Sequence, residues 1–166
     1  FMPPSAIGLY LIVAIPVGML SITSPYTPES PLDLGVAVLD QATSTYGTSA
    51  VFQGIAITDT RAGEPGFTAS VGATPLAGPG SIDARHLGLV DLTAHQVPDN
   101  AMQAADVELM DVPALSPGLA SSHVIARYPA SRALGTVGLA AVLVLEAVPS
   151  STPPGTYTPT VTFTAW

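Results

Sequence analysis

The residues that could carry out chemistry in this chain are few and scattered. It contains three histidines, His86, His95 and His123, but no cysteine and no lysine. Nucleophilic catalysis needs a hydroxyl or thiol held beside a base, and no nucleophile-elbow pattern precedes or follows any of these histidines. We therefore predict surface or loop histidines, no catalytic residue and no enzymatic activity.

Metal and cofactor chemistry is equally weakly indicated. Four acids, Asp99, Asp106, Glu108 and Asp111, form a cluster in sequence, but they lack the Asp-x-Asp-x-Asp-Gly spacing of a calcium loop. No closely spaced His or Cys pair suggests zinc, and without lysine there is no P-loop. We predict a solvated acidic face, no metal and no cofactor.

One pair of charged residues has a definite structural interpretation. Asp59 and Arg61 lie two residues apart at the predicted end of a strand, so their side chains point to the same side. Polar groups at tight turns usually satisfy local backbone groups. We interpret the pair as a turn clamp, with a ligand site as the alternative.

The composition excludes some partners and favours others. Only 10% of residues are charged, the net charge is −8, and 48% are hydrophobic, whereas an ordinary soluble domain has roughly a quarter of its residues charged. Four arginines cannot form a basic stripe for nucleic acid. A surface of Thr, Ser, Gly, Pro and Ala instead suits a chain that packs against copies of itself or forms an outer coat.

The first apolar run, residues 7–20, lacks a positively charged start, because no Lys or Arg precedes Arg61. The run is short for a membrane span, and Gly8, Pro16 and Gly18 interrupt it. We read it as part of the mature protein and predict no membrane span.

Short β-branched runs between Gly and Pro turns predict the fold. We expect an all-β, immunoglobulin-like or jelly-roll-like antiparallel sandwich of about nine strands, in one domain of residues 1–166. Strands are predicted at residues 9–15, 19–23, 32–39, 51–59, 67–71, 123–128, 138–148 and 156–165. Residues 67–71 are the expected hairpin partner of 51–59, Gly54 is an expected bulge, and 138–148 should be covered on both faces. Residues 83–116 should be mostly loop, with one short helix at most in 99–110.

The last run has the clearest pattern. From residue 156 to 165 every second residue is Thr, which predicts a hydroxyl face towards water and an apolar face towards the core. Pro159 places this strand at an edge or at a bulge. The predicted core residues are Phe52, Phe67, Tyr157, Val161 and Phe163.

Three segments carry a family resemblance: LSITSP at residues 20–25, IAITDTRAGEPGFTASV at 55–71, and PGTYTPTVTF at 154–163. Together they resemble the WxL-like β-sandwich domains of bacterial surface proteins, of the actinobacterial type. The resemblance implies the sandwich fold and an extracellular setting. Phe67 and Phe163 stand where that family has Trp, which departs from the pattern associated with cell-wall binding.

These observations lead to three functional hypotheses. The first is a secreted structural protein of the cell surface or of an extracellular filament, forming a non-covalent homo-oligomer or homopolymer, with residues 1–18 as a donated or interface strand. Its predicted interface is the apolar run Leu9, Tyr10, Leu11, Ile12, Val13, Ala14 and Ile15, which could equally be an internal strand. The second is a module that binds cell-wall glycan on exposed rings of Tyr26, Tyr46, Tyr128 or Trp166. The third is a viral coat or tail sandwich.

Overall fold

The computed structural model describes residues 4–166, and eleven strands lie in that range. They are β1 (Leu20–Thr23), β2 (Val38–Asp40), β3 (Thr45–Asp59), β4 (Phe67–Ala73), β5 (Leu76–Ala77), β6 (Ser81–Ile82), β7 (Leu87–Gln96), β8 (Glu108–Leu109), β9 (His123–Tyr128), β10 (Gly135–Pro149) and β11 (Val161–Ala165). Short 3-10 turns lie at Ala84–His86 and Ala104–Asp106.

The strands form two main antiparallel sheets. The first has the order β1-β3-β10-β7, with β2 also paired to β3, and the second has the order β11-β4-β9-β8. β5 and β6 form a small separate ladder. The inward side chains of both main sheets share one apolar core, which includes Ile55, Ile57, Val71, Ile125 and Leu139. The predicted all-β sandwich is therefore confirmed.

Two long strands, β3 and β10, form the centre of the first sheet and pair along almost their whole length. Their register shifts opposite Gly54, which has a φ of +86°. An extra residue with positive φ is typical of a bulge, so the predicted bulge is confirmed. The outward side chains of β10, such as Val142 and Val144, are only half-buried. The outward face of this strand is thus only partly covered, so the expected full cover on both faces is wrong; β3 and β7 flank the strand within the sheet.

The predicted hairpin between β3 and β4 is wrong. β3 belongs to the first sheet and β4 to the second, where β4 pairs with β9 and β11. The intervening turn carries the chain across the sandwich instead of back along the same sheet. Both strands have alternating inward apolar residues, and either arrangement would bury them.

Other strand predictions differ in extent. The strand expected at 32–39 is reduced to β2. The strand expected at 9–15 does not form, because residues 4–18 extend beyond the end of the first sheet and no strand lies beside them among the described residues. The helix expected in 99–110 is only the turn Ala104–Asp106. His123–Tyr128 has the predicted bounds.

The sequence reading missed β7, which lies in the stretch expected to be loop. Asp91 interrupts the apolar pattern of this strand and has a φ of +54° at the register shift against β10. The Asp111 carboxylate accepts hydrogen bonds from the backbone N–H groups of Asp91 and Leu92, both at 3.2 Å. A distant side chain therefore satisfies this bulge, which local sequence cannot show.

β11 follows the predicted period of two. The threonines from 156 to 164 are exposed, and the intervening residues are half-buried. The strand predicted from residue 156 begins only at Val161, so Pro159 lies just before it. Among the described residues β11 pairs with β4 alone and is the terminal strand of its sheet, which agrees with the predicted edge position.

Candidate functional site

The N-terminal arm, defined here as residues 4–16, is the most unusual surface feature of the molecule. Every one of its residues is exposed, and it makes no hydrogen bond to the rest of the described chain. The exposed fraction is 100% for Ile12 and 94% for Tyr10. Leu9, Leu11, Val13, Ala14 and Ile15 of the predicted interface are exposed in the same way. A run of aliphatic side chains open to water is unfavourable unless another surface covers it.

The residues that directly follow the arm are held in place by backbone hydrogen bonds. The backbone carbonyl of Val17 accepts from the Ala62 N–H, and that of Met19 accepts from the Thr60 N–H, both at 2.9 Å. Gly18 between them has a φ of +76°, and a Cβ there would lie 1.9 Å from the Thr60 carbonyl oxygen. These contacts fix residues 17–19 against the end of β3, so the free segment begins at Pro16.

Asp59 and Arg61 lie beside this anchor and form the interaction expected of a turn clamp. Asp59 Oδ1 accepts from the backbone N and Nε of Arg61, and Oδ2 accepts from Nη2, all at 3.0 Å. Arg61 Nη2 also donates to the Gly66 carbonyl at 2.6 Å. The pair thereby ties both ends of the turn that crosses from one sheet to the other.

The electrostatics of this pair follow from its burial. Asp59 is 2% exposed, and desolvation alone raises the pKa of its carboxyl. The hydrogen bonds from the Arg61 side chain and backbone, together with its charge, outweigh that effect and hold the pKa of Asp59 below its usual value of 3.8. The same hydrogen bond raises the pKa of Arg61. Both groups stay charged at neutral pH.

A shallow depression of about 500 Å³ lies on the outer face of the second sheet, at the same end of the sandwich. Trp166, Thr68, Arg127 and Glu108 cross it in a row, because Trp166 and Thr68 exchange backbone hydrogen bonds, Thr68 is opposite Arg127, and Arg127 is opposite Glu108. Asp106 also lines it. An exposed indole beside charged groups can stack on a sugar ring while the charges bind its polar substituents.

The other aromatic residues mostly support the core. Phe52 and Phe67 are buried, whereas Tyr157, Val161 and Phe163 are half-buried against the core. Phe52 contacts Phe163 with ring centroids 5.7 Å apart.

Most of the tyrosine and tryptophan rings that were predicted to bind glycan are buried or half-buried. Phe67 stacks on Tyr128 at 5.5 Å. Tyr128 is 4% exposed, so its expected role as a solvent-facing ring is wrong. Tyr26 and Tyr46 are half-buried against the core, and Trp166 is the exposed member of the four.

The histidines and acids do not converge. His86 is buried, so of the predicted surface or loop position only the loop part holds: it lies in the turn Ala84–His86, and its Nδ1 is 2.9 Å from the Glu146 carbonyl oxygen. His95 and His123 each bond a neighbouring hydroxyl, of Thr93 and Ser121. Among residues 4–166, no group of three or more His, Asp or Glu is placed to hold a metal ion.

The arm and the depression differ in how visible they are in the sequence. The arm is a continuous apolar run, although only the structure shows that it has no strand partner. The depression joins residues from four strand ends that are far apart in sequence, and no local signal links Trp166 to Arg127 or Glu108.

Within the part of the chain that the structure describes, no helix is long and apolar enough to cross a membrane.

Comparison with protein-family models, with curated proteins and with solved structures finds no match to this chain.

Proposed function

We propose that this chain is an extracellular structural protein that assembles non-covalently with copies of itself into a filament or coat, through its N-terminal arm. The observation that carries the proposal is the exposed apolar run within the arm. Burying each large aliphatic side chain is worth about 1.5–3 kcal/mol, and an added strand supplies main-chain hydrogen bonds as well.

The remaining surface is compatible with close packing of copies. Val36, Val38, Leu39 and Val51 are further exposed apolar residues on β2, on β3 and just before β2. The absence of lysine excludes a covalent lysine link between subunits, so contacts in a fibre must be non-covalent or use other groups. The resemblance to WxL-like domains supports the extracellular setting.

Sedimentation velocity of the intact chain at micromolar concentration tests the proposal, with negative-stain images of the same samples. We expect regular oligomers or filaments from the intact chain and a folded monomer from residues 17–166, because the arm residues are exposed and make no hydrogen bond to the rest of the described chain. The matched control replaces Leu11 and Val13 by Asp within the full-length arm, and it should also be monomeric. A stable monomer of the intact chain would reject the proposal.

A second candidate function is binding of cell-wall glycan in the depression at Trp166. The observation that favours it is the exposed indole, at 57% exposure, in a row with Arg127 and Glu108. Titration with soluble peptidoglycan fragments, followed by Trp fluorescence, tests it. Trp166→Ala should abolish binding in a pull-down with insoluble cell wall, while Tyr26→Phe should leave it unchanged; equal binding by both variants would exclude this site.

A further inference from the structure

One edge of β3 is interrupted. β10 pairs with one side of β3 along most of its length, so β1 and β2 must lie on the other side. There β1 pairs with Ala56–Asp59 and β2 with Thr45–Gly47. No described strand pairs with the eight residues between them, 48–55, on that side. We call this stretch the β3 gap.

The β1–β2 connection touches the β3 gap near its two ends without pairing with it as a strand, and a Cβ at Gly54 would lie 3.0 Å from Pro25 Cγ. The Gln53 N–H donates to the Tyr26 hydroxyl at 3.3 Å, and the Thr48 hydroxyl donates to the Leu34 carbonyl at 2.5 Å. Since N–H groups directed to one neighbour recur every second residue, the backbone of Val51 also faces this edge. No backbone partner for it there is found among the described residues. A strand edge of this kind readily pairs with another chain.

The arm and the β3 gap match in length and character. Nine apolar or small residues, 7–15, would span about 30 Å as a strand, against about 26 Å for the eight residues of the gap. Neither segment contains a charged residue, which limits repulsion between chains of net charge −8. In a strand the odd-numbered arm residues would share one face, consisting of Ile7, Leu9, Leu11, Val13 and Ile15.

The arm cannot fill the gap of its own chain. Val17 lies beside Ala62, and eleven residue steps of about 3.3 Å separate Ala62 from Val51, or about 36 Å. Leu11, at the centre of the apolar run, is five steps from Pro16 and can reach only about 17 Å. The arm of the same chain can reach only the near end of the gap, so an arm that pairs along the whole gap comes from a second copy.

Resting on the proposed function above, we propose that the β3 gap is the acceptor site for the arm of a neighbouring copy. The arm leaves the molecule beyond the Asp59 end of β3, while the acceptor lies along the side of the same strand. The interface is thus heterologous, joining two different surfaces, and such interfaces produce rings or open filaments. The free edge of β11 offers a shorter alternative of five residues.

Complementation between two defective variants tests the assignment. Val51 is 65% exposed, so Val51→Lys should leave the fold intact but place a charge where the arm packs. That variant can donate its arm but not accept one, whereas residues 17–166 can accept but not donate. Each alone should sediment as a monomer, and their mixture should form a one-to-one dimer. The matched control Ala120→Lys, at an exposed position in the loop between β8 and β9 and away from both the arm and the gap, should assemble like the unmodified chain.

Disulfide trapping locates the contact directly, because the chain has no cysteine of its own. A mixture of Ile12→Cys and Val51→Cys proteins should form heterodimers at least about tenfold faster than a mixture of Ile12→Cys and Thr162→Cys, since a docked arm raises the effective concentration of the two thiols. Faster trapping at Thr162 on β11, or normal assembly of Val51→Lys, would overturn the assignment. If either of these results is obtained while the oligomers still require the arm, only the acceptor site is rejected. A monomeric intact chain would instead reject the proposed function itself.

Discussion

Replacing Asp59 by Asn should destabilise the fold in a strongly pH-dependent way. The carboxylate accepts three hydrogen bonds from Arg61, and the isosteric amide can retain the backbone bond at Oδ1 but points an N–H₂ group at the Arg61 Nη2 donor. Bonds to charged groups contribute about 1.5–3 kcal/mol, and breaking a buried pair costs about 3–5 kcal/mol. Because Arg61 remains 27% exposed and can recover water, we expect a loss of about 2–4 kcal/mol at pH 7.

The direction of the pH dependence follows from the lowered pKa of Asp59 in the folded state. A carboxyl with a lowered pKa stabilises the native state above its unfolded pKa of about 3.9, and this contribution is lost as the pH falls through the folded pKa. The variant has no such group. The difference in unfolding free energy between the two proteins should therefore have its full size at pH 7 and at pH 5, and it should decrease progressively below about pH 4.

Urea denaturation followed by far-UV circular dichroism at pH 7, 5, 3 and 2 measures this difference. Asp99→Asn is the matched control, because Asp99 is exposed and makes no side-chain hydrogen bond to the described residues; it should change stability by less than about 0.5 kcal/mol. A deficit for Asp59→Asn that stays constant from pH 7 to pH 2 would show that packing, and not charge, explains the effect. A deficit below about 0.5 kcal/mol at pH 7 would refute the clamp.

Three further substitutions test the packing. Phe163→Ala should cost about 2–3 kcal/mol in urea unfolding, less than a fully buried ring, because Phe163 is half-buried against Phe52; a cost below about 1 kcal/mol would contradict the register of β11. Gly88→Ala should cost about 1–3 kcal/mol in a thermal melt, since its Cβ would lie 2.2 Å from the Ala114 nitrogen, and an unchanged melt would contradict that contact. Asp111→Ala should speed hydrogen exchange of the two amides that it binds at the β7 bulge by about fivefold or more, because losing this acceptor costs about 1–3 kcal/mol of local stability. Unchanged exchange would show that water replaces the carboxylate.

Local patterns predicted much of the sheet structure. The alternation of Thr with apolar residues near the C-terminus sets which face of β11 is buried, because successive side chains of a strand point to opposite faces. Gly54 marked a bulge, since glycine adopts positive φ without steric cost. The spacing of Asp59 and Arg61 placed both side chains at one turn. Each of these features depends on residues within a few positions of one another.

Which strands pair was decided by the tertiary structure. β3 and β4 are both apolar on alternate residues, and only the path of the clamped turn assigns them to different sheets. β7 contains Asp91 at a bulge that Asp111, twenty residues later, satisfies. Such contacts join distant residues, so no local window contains them.

The same limit applies to the candidate sites. The apolar run of residues 9–15 is visible in the sequence, yet a buried internal strand and an exposed arm have the same composition. The structure distinguishes them because the anchor at Val17 and Met19 directs the run beyond the end of the sheet, where no described strand lies beside it. The composition of a segment determines that it needs apolar cover, and the three-dimensional path of the chain determines whether its own fold can provide it.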